Sequence, residues 1–261
     1  MPINGKILAV IPARWLSTRF PGKPIADILG KPMVQWVSEQ AQKASLVNEV
    51  VIATDDKRIY DVVLGFGGNV VMTSPSHQSG TDRVAEVVKY LECDIVVNIQ
   101  GDEPLIPPEN IDLVIEPLLA RNDLSVSTLM IAIHNSSEML DPDICKVVVD
   151  NAGCALYFTR APIPYKRDFD YIDETCSDTK IDSNKRVLGF KHIGIYAYKK
   201  SFLPQFLNMK VSKLENSEKL EQLRILENRY LIQLVETKQN SIGVDRPEDI
   251  DKVIKAINCK N

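Results

Sequence analysis

Three short, almost unbroken apolar runs most constrain what this chain can become: residues 7–11 (ILAVI), 50–53 (VVIA) and 95–99 (IVVNI). A strand with one face in water alternates apolar and polar residues. These do not, so they read as strands covered on both faces. Between them lie segments with helical spacing. Met33, Val34, Val37 and Ala41 share one face, with Pro32 suited to a first helical turn. Residues 57–64 read as helix and 70–72 as a short strand. Val84, Val87, Val88 and Leu91 form the apolar side of a helix that Thr81 can cap. Residues 108–120 read as a further helix. Strands alternating with helices predict an α/β fold with a mostly parallel central sheet. Ligands of such sheets bind beyond the carboxyl ends of the strands. That singles out the segments after Ile11, Ala53 and Ile99.

The second half changes character. Residues 125–133, 146–149, 156–159 and 194–198 read as strands, with a turn at 150–153. Residues 214–230 read as one strong helix, with Leu220, Leu223, Leu226 and Tyr230 along one side. Residues 167–186 are polar and aperiodic and read as a mobile loop. A capped helix from Arg246 closes the chain.

Composition excludes several classes. A net charge of −4 disfavours a nucleic-acid binder. The longest apolar run is far short of the ~20 residues needed to cross a bilayer, so no membrane insertion is expected. The N-terminus is too short and polar before Ile7 for a signal peptide. Five cysteines without C-x-x-C spacing indicate neither disulfides nor zinc, and three beside apolar sequence read as buried reduced thiols. A cytoplasmic location follows as the expectation.

The segment after the first strand places Arg14, Arg19 and Lys23 within ten residues, with no carboxylate among them. Neighbouring cations repel one another, and a polyphosphate turns that repulsion into attraction. Arg grips phosphate through paired donors and Lys acts as a point charge. In the segment at 77–83, Gln78 and Ser79 can hydrogen-bond a base edge, Gly80 permits close approach, and Thr81 equally suits a helix cap. After the third strand, Asp102 lies beside Gly101, well placed for a magnesium ion held by one or two carboxylates and phosphate oxygens. Asp245, with Glu248 three residues on, has the spacing of a capping box.

Ile11-Pro12-Ala13-Arg14, Ser17, Arg19 and Pro21-Gly22-Lys23-Pro24, with His77 to Arg83 and Asn98 to Pro104, resemble the motifs of CMP-KDO synthetases, the 3-deoxy-manno-octulosonate cytidylyltransferases. The likeness runs from Ile7 to about Val253. It implies a nucleotide-diphospho-sugar transferase type of fold. Residues 1–123 and 231–261 would form the nucleotide-binding part, and 124–230 an inserted sugar-binding and dimerisation part. Pro12, Ala13, Arg14, Arg19, Lys23, Gln78, Ser79, Gly80, Thr81 and Arg83 would meet CTP. Gln100, Arg160, His192, Tyr196, Glu221 and Gln222 would meet the acidic sugar, KDO. By spacing alone, Glu221 and Gln222 fall off the apolar stripe toward solvent. Asp102 and Asp245 would hold Mg²⁺, with Arg14, Arg19, Lys23 and both carboxylates as the catalytic set. A homodimer and a role in lipopolysaccharide synthesis are implied too. Arg246 departs from the family's usual Thr, and Lys199 from its frequent Arg. Another acidic sugar, such as 8-amino-KDO, and a non-catalytic nucleotide-binding module are the alternatives.

Overall fold

A computed structural model describes residues 5–16, 19–77, 79–167 and 187–259. The predicted loop at 167–186 falls outside the described residues except for Arg167 itself. The elements in chain order are β1 (Ile7–Ala13), β2 (Asp27–Ile28), β3 (Lys31–Pro32), α1 (Met33–Ala41), β4 (Glu49–Thr54), α2 (Lys57–Gly65), β5 (Val70–Met72), α3 (Gly80–Tyr90), β6 (Ile95–Asn98) and α4 (Pro108–Ala120). They continue as β7 (Val126–Ile133), α5 (Ser136–Leu140), β8 (Lys146–Val149), β9 (Ala155–Thr159), β10 (Gly189–Lys199), α6 (Leu203–Asn208), α7 (Lys213–Glu218), α8 (Gln222–Glu227), β11 (Ile232–Glu236) and α9 (Asp249–Asn258).

One nine-stranded sheet has the central order β11-β7-β10-β6-β1-β4-β5, with β8 and β9 added beside β10. Along that path β10 alone runs against its neighbours; β1 is parallel to both β4 and β6. The apolar runs therefore do what their pattern demands. Ile7, the small Ala9, Ile11 and Ala13 of β1 face the layer holding α1 and α4, while Leu8 and Val10 face the layer holding α3. Full burial of each of the Ile, Leu and Val side chains contributes about 1.5–3 kcal/mol. The alternation of β1 between two apolar layers fixes its register, because a one-residue slip would exchange the layers.

Four expectations are corrected. The predicted helix at 214–230 is two short helices, α7 and α8, because Lys219 adopts left-handed dihedrals (φ 55°, ψ 44°) and ends the first. Ser79, not Thr81, caps α3, and Ser79 and Asp82 form the capping box. Pro32 belongs to β3 and precedes α1, which begins at Met33. Asp245 and Glu248 make no capping box: Asp249 Oδ2 accepts from the backbone N–H groups of Asp245 and Arg246, each at 3.0 Å, and α9 starts at Asp249. The thiols also divide. Cys154 is buried, Cys93 and Cys145 are half-buried, Cys259 is exposed, and Cys176 lies outside the described residues. Among the described residues no helix is long and apolar enough to cross a membrane.

Candidate active site

Two glycines let the chain fold around the cleft beyond β1 and β6. Gly22 is left-handed (φ 72°), and its N–H donates to Trp15 O at 3.0 Å, closing the basic loop on itself. A Cβ on Gly101 would lie 2.9 Å from Pro12 O, so only glycine lets the turn after β6 approach the end of β1. Pro12, Ala13, Arg14, Arg19, Lys23, Ser79, Gly80 and Arg83 line this cleft together with Gln100, Asp102 and Asp245; its volume is about 390 Å³. Gln78 lies outside the described residues. Thr81 sits behind the cleft, buried, and donates to Glu221 Oε2 at 2.6 Å.

The carboxylates and cations are paired with one another. Lys23 Nζ lies 2.7 Å from Asp102 Oδ2, 2.9 Å from Val244 O and 3.9 Å from Asp245 Oδ1. Arg19 Nη2 donates to Asp245 Oδ1 at 3.0 Å. Asp245 thus shares the Lys23 ammonium with Asp102, although 143 positions (245 − 102) separate them in sequence. Two carboxylates and a backbone carbonyl converging on one cation form a hard oxygen donor set, which fits Mg²⁺. Arg83 differs from the other cations. It is 3% exposed and bound to Asp55 at 2.7 Å and to the Thr73 hydroxyl.

A second cleft of about 500 Å³ is lined by Arg19, Pro142, Asp143, Arg160 and Asp245. Arg19 and Asp245 thus border both spaces. Arg160 is clamped by its donation to Glu218 O and Pro142 O, each at 2.9 Å. Gln100 Nε2 donates to Gly194 O at 3.3 Å. Gln222 is buried against Cys145 Sγ rather than in solvent. Burial raises the Glu221 carboxyl above its ordinary range, against the lowering effect of Thr81. His192 Nε2 meets the Thr128 hydroxyl at 2.9 Å, and its ring lies near Phe158 and Tyr196.

A cytidylyltransferase family model matches residues 8–237. The 3-deoxy-manno-octulosonate cytidylyltransferase of Geobacter metallireducens is 50% identical over 254 residues, 97% of this chain and 98% of its own. The chain belongs to the 3-deoxy-manno-octulosonate cytidylyltransferase family. The Geotalea daltonii member is 53% identical, over 97% of this chain and 98% of its own. A solved structure of a CMP:2-keto-3-deoxy-manno-octonic acid synthetase complexed with CTP superposes with a TM-score of 0.88 at 40% identity, covering 98% of this chain and all (100%) of that one. A Leptospira borgpetersenii cytidylyltransferase, at 16% identity and a TM-score of 0.63, shares the fold.

Within this cytidylyltransferase, one half-buried acid next to the cleft-lining Asp102 carried no assignment from sequence. Glu103 adjoins Asp102, its Oε2 is buried without a hydrogen bond among the described residues, and burial with the Asp102 charge pushes its carboxyl up to about 7. Its signal was adjacency to the motif aspartate, which does not distinguish a ligand from a buried neighbour.

Burial pushes His192 down from 6.5 to about 3. The unfolded chain accepts a proton near 6.5 and the folded chain resists it, so acidification through that interval favours unfolding. Wild type is expected to lose more stability between those limits than His192→Gln in urea titrations. Glu103 titrates in both proteins and cancels from the comparison. Parallel pH profiles would show that His192 is not held neutral by the fold.

Proposed function

We propose that this protein joins CMP from CTP to the anomeric hydroxyl of KDO, giving CMP-KDO and pyrophosphate. One observation carries the reading: a cleft in which phosphate-binding cations face two convergent carboxylates, in a chain half identical to named 3-deoxy-manno-octulosonate cytidylyltransferases. The sugar hydroxyl attacks the α-phosphorus in line, and the P–O bond to pyrophosphate breaks. No Ser or Cys nucleophile is required. Arg14, Arg19 and Lys23 hold the phosphates and offset their charge. Ser79 and Gly80 border the space for the base. Arg160, Gln100, His192, Tyr196, Glu221 and Gln222 form the sugar side. Asp102 and Asp245 would hold Mg²⁺, which supplies Lewis-acid polarisation of a phosphate oxygen when bound. Rate enhancement then comes mainly from positioning and fixed charge.

A cytoplasmic enzyme feeding lipopolysaccharide assembly fits this product. A homodimer belongs to the same reading, supported by the exposed apolar Leu156 and Val211 in the segment assigned to subunit contact. Pyrophosphate release tests the reaction, using CTP or UTP with KDO, its 8-amino analogue or sialic acid. Release with CTP and KDO is the expected result. Release with the 8-amino analogue alone would change the sugar and keep the mechanism. CTP binding without release from any pair would leave a nucleotide-binding module.

A further inference from the structure

Lys23 stands where a cation belongs. Its ammonium makes two hydrogen bonds, to Asp102 Oδ2 and Val244 O, and faces Asp245 Oδ1 at 3.9 Å. Its side chain is only 14% exposed, unlike the freely swinging lysines of an open surface. Its backbone is fixed. Lys23 opens a 3₁₀ turn with Pro24, and the hydrogen bonds Ile25 N to Gly22 O and Ala26 N to Lys23 O, each 3.0 Å, hold that turn. Only the four-carbon stem remains to move. Arg19 donates to that same Asp245 Oδ1 from the more exposed side, at 3.0 Å.

We propose that Lys23 is the resident counter-cation of Asp102 and Asp245 in the nucleotide-free site, and that it exchanges with a divalent ion when the phosphates arrive. This rests on the reading of the two carboxylates as metal ligands. An ammonium and a divalent cation cannot share these oxygens, because the like charges would lie within one coordination shell of each other. A triphosphate gives Lys23 and Arg19 a stronger anion on the cleft side and so releases the carboxylates. Ion and nucleotide affinities are then reciprocally linked. Without nucleotide the site resists free divalent ions, yet its carboxylates stay in place rather than repelling each other apart. Lys23 is thus a positioning residue for the carboxylates as well as a phosphate contact.

Mn²⁺ titration of the whole protein, followed by the electron paramagnetic resonance of free Mn²⁺, tests this without turnover. In the absence of nucleotide, Lys23→Met is expected to bind Mn²⁺ about tenfold or more tightly than wild type, the scale of losing one adjacent like charge. Arg14→Met removes the same charge from the same cleft without vacating the carboxylates, and is expected to change affinity by about twofold or less. Lys23→Gln gives a second neutral variant with a polar head, and thermal melts confirm that each variant is folded. Adding Asp102→Asn to Lys23→Met should abolish the gain. Equal Mn²⁺ affinity in wild type and both Lys23 variants would overturn the exchange and leave the metal reading standing. A gain equal in Arg14→Met would also overturn it, reducing the effect to net charge. A gain that survives Asp102→Asn, or no Mn²⁺ binding by wild type even with CTP, would overturn the metal reading itself.

Discussion

Asp102→Asn is expected to lower kcat by about 10²–10³-fold, the usual scale for removing one electrostatic element of a transition state. The melting temperature should move by no more than about 2 °C, the equivalent of roughly 1 kcal/mol or less in a chain of this size. The two halves of this expectation have different causes. Asp102 lies in the turn after β6 and is one-third exposed. An amide has the same shape, and its Oδ1 can still accept from Lys23, so packing survives. What disappears is a full negative charge aimed at the cleft where phosphate charge redistributes. The loss should fall on kcat more than on the KM for CTP, because an interaction that strengthens in the transition state is not uniform binding. Higher Mg²⁺ should restore little of the rate. Turnover within about twofold of wild type at saturating Mg²⁺ would remove Asp102 from the mechanism, since far larger losses follow from deleting a group that acts in the transition state.

The sheet was legible because its signal is simple. Residues covered on both faces must be mostly apolar, and the middles of β1, β4 and β6 are. Residues 70–72, 108–120 and 146–149 match β5, α4 and β8 end to end. The break between α7 and α8 was not legible. It rests on one lysine in left-handed dihedrals, while the leucine stripe continues across it. Leu220 and Leu223 are buried as the stripe requires, but by two helices meeting at a turn rather than by one. β11 escaped notice because residues 232–236 alternate within a stretch too short to stand out. Around the cleft, spacing alone favoured a cap for Asp245. The N-cap position of α9 is Glu248, without a side-chain cap bond, and Asp249 accepts instead from the N–H groups of Asp245 and Arg246, which leaves the Asp245 carboxylate to Arg19 and Lys23. Nor could sequence rank the cations. Arg14, Arg19, Lys23 and Arg83 look alike in one dimension, yet Arg83 is locked among β4, β5 and α3.

That difference gives the second large effect. Arg83→Met is expected to destabilise the fold by about 3 kcal/mol, toward the lower end for a broken buried ion pair because Asp55 keeps some solvent contact. In a chain of this size that is a fall of roughly 6–12 °C in melting temperature. The guanidinium binds Asp55, just beyond β4, and the hydroxyl of Thr73, just beyond β5. Thr73 in turn donates through its hydroxyl to Thr54 O at 3.1 Å, so the three elements share one polar junction. Methionine fills most of the stem volume and leaves Asp55 without its partner. Arg83→Lys should recover little, because one ammonium cannot span two acceptors as the planar fork does. Arg14→Met provides the contrast, with an unchanged melt and a raised KM for CTP. A double-mutant cycle with Asp55→Ala separates the pair from packing: coupling above about 1 kcal/mol assigns Arg83 to the junction. An unchanged melt with a raised KM for CTP would instead make Arg83 a direct nucleotide contact, its charge turned to the cleft rather than to Asp55.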